Sequence, residues 1–360
     1  MGPAAQEAAL EESESACAVD MKTRLFIAAA IILGATVAAQ AASPVASGTT
    51  VLGIQGTEFT LNGEPIFLLG FSYYGALGAQ QALVRRDLDG AQRLGFNWLR
   101  VWATWNAFDH NVSAVAVDGA PREPFLGNLR WLVSECDRRG LVVDLTLTRG
   151  EMLSNFAAHQ RAVETLIDAL KTHRNWYLDL ANEHDVHDAR YVSDAELKLL
   201  RDLVRRLDSP RLVTASCGGH DLTAGDVRES LLTIGLDFLA PHRPRTAQSP
   251  RETEGRTRAL RTLMHELGCV APIHYQEPFR RGYSGWEPQA EDFLNDLQGA
   301  RSGGAAGWCF HNGQQGDTAD KQPGRSFDLR KRPLFDQLDA VEQKVVQRAA
   351  AELKGRREAR

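Results

Sequence analysis

The sequence predicts an α/β fold, a (β/α)8 TIM barrel with an N-terminal β-hairpin. Three observations carry that expectation. Strand-like apolar runs alternate with helical patterns at roughly regular spacing across residues 66–310. No Gly-x-Gly-x-x-Gly loop follows the first run, as an open doubly wound sheet would usually show; Gly70-Phe71-Ser72-Tyr73-Tyr74-Gly75 stands there instead. Finally, two of the runs end in a glutamate, Glu183 and Glu277, separated by 94 positions (277 minus 183). A barrel brings the carboxyl ends of such distant strands to one face.

Taken in order, residues 1–42 are expected to lie outside the fold. Met21-Lys22-Thr23-Arg24 is a short basic start, residues 25–39 are almost wholly apolar, and Ala39-Gln40-Ala41 offers small residues for cleavage. That is the pattern of a secretory signal peptide, and the run is short against the roughly 20 residues of a membrane span. The acidic preface, Glu7 to Asp20, is foreign to signal peptides, which points to Met21 as the start. Removing residues 1–42 takes away 2 basic and 5 acidic residues, so the net charge moves from −5 (41 against 46) to −2 (39 against 41). A periplasmic or secreted protein is expected, without stable membrane insertion after cleavage.

Next comes the hairpin. Phe59-Thr60-Leu61 runs into Asn62-Gly63, a strong two-residue turn signal, and Pro65 to Leu69 returns. The expected barrel strands are 66–72, 98–103, 141–147, 176–181, 212–215, 236–239, 272–275 and 307–310. Helical stripes lie between them, such as Phe125, Leu129, Leu132, Val133 and Cys136, or Leu197, Leu200, Leu203, Val204 and Leu207. Arg205-Arg206 falls off the second stripe and reads as a solvated face. The barrel domain is expected over 43–345, with 346–360 a charged C-terminal tail.

With 43% hydrophobic and 24% charged residues the composition is that of an ordinary globular protein. No Lys/Arg run suggests a nucleic-acid partner. Export permits disulfides, yet Cys136 sits on a helical apolar face and Cys309 within an apolar strand, so buried free thiols are expected. No Cys-x-x-Cys pair suggests zinc.

Two carboxylates flanking one glycosidic bond can protonate the leaving oxygen and attack the anomeric carbon or activate a water. Asn182-Glu183 after the fourth strand, Glu277 after the seventh and Trp308 in the eighth resemble clan A retaining glycoside hydrolases, with a cellulase- or mannanase-like barrel similar to glycoside hydrolase family 5. The Asn62-Gly63 hairpin and Leu99-Arg100-Val101-Trp102 on the second strand match the cellulase-like branch. The resemblance spans about residues 50–345. It implies that Glu183 is the acid/base, with a raised pKa while it protonates the leaving group, and that Glu277 is the ionised nucleophile. Asn182 would bond the sugar 2-hydroxyl, and Arg100 would hold Glu277 anionic. Trp308 would be a platform under a sugar ring, with Trp102, Trp105, Tyr73 and Tyr74 as further aromatic candidates.

Several positions depart from the family. His242 is present, but Pro244 stands where a tyrosine often falls. Tyr275, two residues before Glu277, is expected to supply that hydroxyl, because positions two apart on a strand face the same side. The fourth-strand motif reads Asn-Glu-His where many relatives have Asn-Glu-Pro. Thr148-Arg149 ends the third strand, and Arg149 is either a substrate contact or a rim residue. His184-Asp185-Val186-His187-Asp188 could ligate a metal, or form a solvated cleft rim; the spacing differs from His-Glu-x-x-His. His311-Asn312-Gly313 reads as a cleft loop.

The expected protein is a monomeric hydrolase of oligo- or polysaccharide that needs no cofactor and no metal. A catalytically silent glycan-binding barrel and a metal-dependent barrel enzyme built on the His184 cluster are the alternatives. If residues 21–41 are a leader, sequencing the N-terminus of protein from its source will place it between Ala41 and Ser43; an intact leader there would contradict export.

Overall fold

A computed structural model describes residues 50–282, 285–311 and 327–354. The leader-like segment, Asn312, Gly313 and residues 355–360 lie outside the described residues. The chain opens with a meander. Strands Leu52–Gln55 and Glu58–Leu61 pair antiparallel, and Glu64–Ile66 pairs back on the second, one strand more than a hairpin. Asn62 (φ 54) and Gly63 (φ 88) both take positive φ, as the tight turn between twisted strands demands.

Eight parallel strands follow. β1 (Leu68–Ser72), β2 (Trp98–Trp102), β3 (Val142–Thr146) and β4 (Trp176–Asp179) come first. β5 is Val213–Thr214, resumed at Ser216–Cys217; β6 is Ala240–Pro241, β7 His274–Tyr275 and β8 Gly307–Phe310. A continuous parallel ladder runs β5-β4-β3-β2-β1-β8-β7. The second half of β5 pairs with β6, and Leu239 bridges Ile273 beside β7, so the sheet closes on itself. This is the (β/α)8 barrel. The sixth strand pairs later than its apolar run, 236–239, because its partner is the segment of β5 beyond the break at Ala215.

Alternation sorts each strand's side chains. Leu68, Trp98, Val142, Tyr177 and Cys309 point inward with Phe238, and Phe59 of the meander packs among them. Phe59 meets Phe238 edge-on at 5.0 Å, so the meander plugs the amino-terminal end of the barrel. Gly70 makes room for Trp98: a Cβ there would lie 1.9 Å from the Trp98 carbonyl oxygen. The outward set, including Phe71, Leu99, Val143 and Leu178, joins the larger core beneath the helices.

The helices are α1 (Gln81–Arg93), α2 (Phe125–Arg138), α3 (Phe156–Leu170), α4 (Asp194–Leu207), α5 (Ala224–Val227, continued as a π-helix Arg228–Ile234), α6 (Ser249–Glu266), α7 (Ala290–Gly303) and α8 (Ala340–Lys354). Both expected stripes are buried except at their ends, where Leu207 is 40% exposed. α4 starts with a Ser193/Glu196 capping box, which satisfies two orphan amides. Arg205 is not simply solvated; it forms a bidentate pair with Asp237 ahead of β6. The last helix, α8, crosses position 345, burying Val345, Val346 and Ala349. Cys136, Cys217, Cys269 and Cys309 are buried free thiols.

Candidate active site

The carboxyl-terminal mouth of the barrel is organised by Arg100. Register places Arg100 beside Asp144 on β3, and Thr146 beside Asp179 on β4, all facing inward. The guanidinium has no solvent exposure. It donates to Glu277 Oε1 (2.5 Å), Asp179 Oδ2 (2.9 Å), Asn182 Oδ1 (2.9 Å) and Thr146 Oγ1 (2.9 Å). Asp144 Oδ2 lies 3.4 Å away and accepts from Tyr177 Oη and Gln276 Nε2. Burial, with the neighbouring Asp179 charge, pushes Asp144 up to about 8 against the pull of Arg100. Arg100 thus faces three acidic side chains, Glu277, Asp144 and Asp179.

Glu183 stands just beyond β4 at φ +49, in the left-handed region. That costs a non-glycine residue about 1–2 kcal/mol, and the turn carries its carboxylate over the mouth. Its amide donates to Ser216 Oγ (3.1 Å). His242 Nδ1 lies 3.2 Å from Glu183 Oε1 and 3.8 Å from Glu277 Oε2. Carboxylate oxygens of Glu183 and Glu277 and a His242 nitrogen lie within 4.8 Å of one another.

Sequence reasoning missed two cations here. Arg245 Nη2 bridges both acids, 2.9 Å from Glu277 Oε2 and 3.3 Å from Glu183 Oε1. Arg190 grips the other Glu183 oxygen while pairing with Asp188. In the free protein the Glu183 carboxyl is held low. Burial pushes it upward, but the His242 hydrogen bond and charge, aided by Arg245, pull it down to about 2. Burial opposes ionisation of Glu277 too, and His242, Arg100 and Arg245 hold it well below the usual range. The Glu183–His242–Glu277 triad has donors suited to a metal ion, but Arg245 already supplies the positive charge there and would repel one.

The remaining sequence candidates divide. Asn182 meets Arg100 through its oxygen, which leaves its amide nitrogen as the end able to donate into the cleft. Tyr74 and Trp102 stack at 4.0 Å, with Trp105 at 4.7 Å from Tyr74. This aromatic wall borders the acids: burial and the Glu277 charge push the Tyr74 hydroxyl far above its ordinary value. His311 also reaches the site, with Nδ1 3.0 Å from Ser72 Oγ and Nε2 3.7 Å from Glu277 Oε2.

Trp308 is no sugar platform. It is fully buried on the outside of β8, and its indole donates to Asp296 on α7 (2.7 Å). Gly307 and Cys309 bracket it on the inward side. Tyr275 likewise faces outward, 2.7 Å from Thr257 Oγ1 on α6. Alternation misled here because β7 ends at Tyr275, so Glu277 lies beyond the pleat. Arg245 makes the contact to Glu277 expected of Tyr275. Tyr73 points outward to Asp87 on α1. Arg149 is a rim residue, paired with Glu196 on α4 (2.8 Å).

No protein-family model and no curated protein matches the chain. Solved structures do. A candidate glycoside hydrolase from Bacteroides vulgatus superposes with a TM-score of 0.65 at 14% identity, over 87% of this chain and 62% of that one. The endo-1,4-β-mannanase of Rhizomucor miehei gives 0.57 at 14% identity, over 84% and 99%. A glycoside hydrolase family 5 structure from B. vulgatus gives 0.57 at 15%, over 74% and 62%. The chain thus spans 62% of the length of both Bacteroides proteins. At these identities the likeness shows the fold alone, a (β/α)8 barrel like that of the mannanase and glycoside hydrolase structures it matches.

Arg100 is the testable centre. Arg100→Met leaves Asp179 and Glu277 buried without their cation, and breaking such a pair typically costs about 3–5 kcal/mol. Urea denaturation is expected to show a loss of that size. A change under about 1 kcal/mol would mean the cluster is not what holds the mouth together.

Proposed function

We propose that the chain is an exported retaining β-glycoside hydrolase acting on a β-linked glycan. The observation that carries this reading is the approach of the Glu183 and Glu277 carboxylate oxygens to within 4.8 Å at the strand ends of the barrel. Retaining enzymes hold their carboxyls ~5–5.5 Å apart, whereas inverting ones need ~6.5–9.5 Å for an intervening water. The leader-like residues 21–41 support export, and the mannanase-like fold supports a polysaccharide substrate by analogy.

Glu277, kept ionised by Arg100, attacks the anomeric carbon as the glycosidic C–O bond breaks. Glu183 gives a proton to the leaving oxygen. In the second half Glu183 takes a proton from water, which attacks the same carbon and releases Glu277. Asn182 offers its amide to the 2-hydroxyl, and Tyr74, Trp102 and Trp105 form the apolar wall of the cleft. The scissile bond has to occupy the space that the Arg245 guanidinium fills. Arg245 therefore withdraws on binding, which removes a cation from Glu183 and lets it carry the proton its role requires.

The same arginine favours a second reading. A cation lodged between the acids suits a silent, glycan-binding barrel if it never withdraws. Azide decides between them. With an activated aryl β-glycoside, Glu183→Ala forms the glycosyl-enzyme but turns it over slowly, and azide should restore turnover as the β-azide. Glu277→Ala should yield the α-azide by direct attack. NMR of the two products reads the configurations. Swapped configurations would reverse the two roles. A wild-type protein that binds β-glycans but turns over neither aryl glycosides nor glucans and mannans would be the silent barrel.

A further inference from the structure

Beside Glu183 lies a second constellation that hydrolysis does not use. His184 follows Glu183 directly, Asp185 comes next, and Cys217 ends β5. One donor atom from each, a nitrogen, an oxygen and a sulfur, lies within 4.8 Å of the others. His184 and Cys217 are buried, and Asp185 is partly so. The geometry points to a zinc site formed by His184, Asp185 and Cys217.

Four features support it. First, His184 Nδ1 lies 3.3 Å from the Val192 carbonyl and can only donate to it, which leaves the Nε2 lone pair facing Cys217. Fixing a ligand histidine through its other nitrogen is the usual outer-shell device of metal sites. Second, Nε2 and Sγ are 3.6 Å apart. Bond lengths of ~2.3 Å to sulfur and ~2.0–2.1 Å to nitrogen, at a tetrahedral angle, would set them about 3.6 Å apart. Third, Asp185 is held in place by the Gly218 amide on its Oδ1 (2.8 Å). Gly218 permits that approach, since a Cβ there would lie 2.6 Å from Val186.

The fourth feature is electrostatic. The donors border a cavity of about 160 Å³ whose walls also carry His187, Asp194, Asp226 and Glu229. Asp194, Asp226 and Glu229 give this cavity a negative field. A divalent ion reverses that field. It displaces the thiol proton to solvent, and thiolate plus carboxylate then neutralise its two charges, with neutral imidazole as third ligand and water completing four. The mixed N, O, S set suits zinc better than a hard oxygen-seeking ion. The ion would pin the Glu183–Val192 loop to β5, fixing the strained Glu183 turn and the stem of Arg190 without touching substrate. The ligands differ from the His184/His187 pair the sequence suggests: His187 instead stacks on Tyr191 at 4.6 Å.

The test uses the full chain and does not depend on glycosidase activity. After chelation and addition of one equivalent of Zn²⁺, gel-filtered protein should retain about one zinc per chain by mass spectrometry. Co²⁺ in its place should give a near-ultraviolet thiolate-to-cobalt band. Cys217→Ser should abolish that band, and both Cys217→Ser and His184→Gln should weaken zinc binding by at least about tenfold. Glu277→Ala should keep both signals, separating this site from the Glu183–His242–Glu277 triad. Zinc lost on filtration, a cobalt adduct with no thiolate band, or a band that survives Cys217→Ser would overturn the assignment and leave a plain Sγ–H···N hydrogen bond. Should a variant misfold, the cobalt spectrum of the wild-type chain decides alone.

Discussion

A single guanidinium, buried without solvent contact, ties three strands and two strand-end segments of this barrel together at its mouth. Arg100 rises from β2 and bonds to Thr146 on β3, Asp179 on β4, Asn182 just beyond it and Glu277 beyond β7. An ion buried this deeply is costly unless every donor is met. Here Arg100 meets two carboxylates, an amide oxygen and a hydroxyl. The constraint works outward. It helps hold Glu277 as an anion, turns the oxygen of Asn182 inward, and leaves Glu183 across a short gap, with an oxygen of each acid within 4.8 Å of the other.

The gap is not vacant of charge. The His242 and Arg245 side chains hold both carboxyls, Glu183 and Glu277, below their ordinary values against the push of burial. For a hydrolase this means the proton donor is prepared only when a substrate takes the place of Arg245. The same contact that stabilises the resting mouth is thus the barrier that binding has to overcome. It sets the glycosidase and silent-barrel readings apart more sharply than the fold does, because the fold is common to both.

How much was legible in the sequence follows from where periodicity holds. Apolar runs and stripes located eight strands and the helices between them because burial on two faces leaves a strong pattern. The Asn62-Gly63 turn was legible because few residues tolerate positive φ. The strand-end positions of Glu183 and Glu277 followed from those runs. Reasoning failed beyond the pleat: Tyr275 was placed by an alternation that stops at Tyr275 itself, and Trp308 was read as a platform although Gly307 and Cys309 take the inward places. Arg190 and Arg245 lie in loops with no period at all, so their reach into the cleft left no signal. Asp144 and Asp179 were findable, since each shares the inward register of Arg100. The Cys217 partner of His184 was not, because 33 residues and a whole helix separate them in the chain.

The central claim is that Glu277 is a nucleophile held ready by Arg100. A 2-deoxy-2-fluoro β-glycoside with an activated leaving group tests it most directly. The fluorine disfavours the oxocarbenium-like transition states of both steps, while the good leaving group keeps the first step feasible, so a glycosyl-enzyme accumulates. Intact-mass measurement should show one added fluoroglycosyl group per chain, and peptide mapping should place it on Glu277. Labelling of Glu183 or of another residue, or no adduct from a fluoroglycoside whose unfluorinated parent is turned over, would contradict the account.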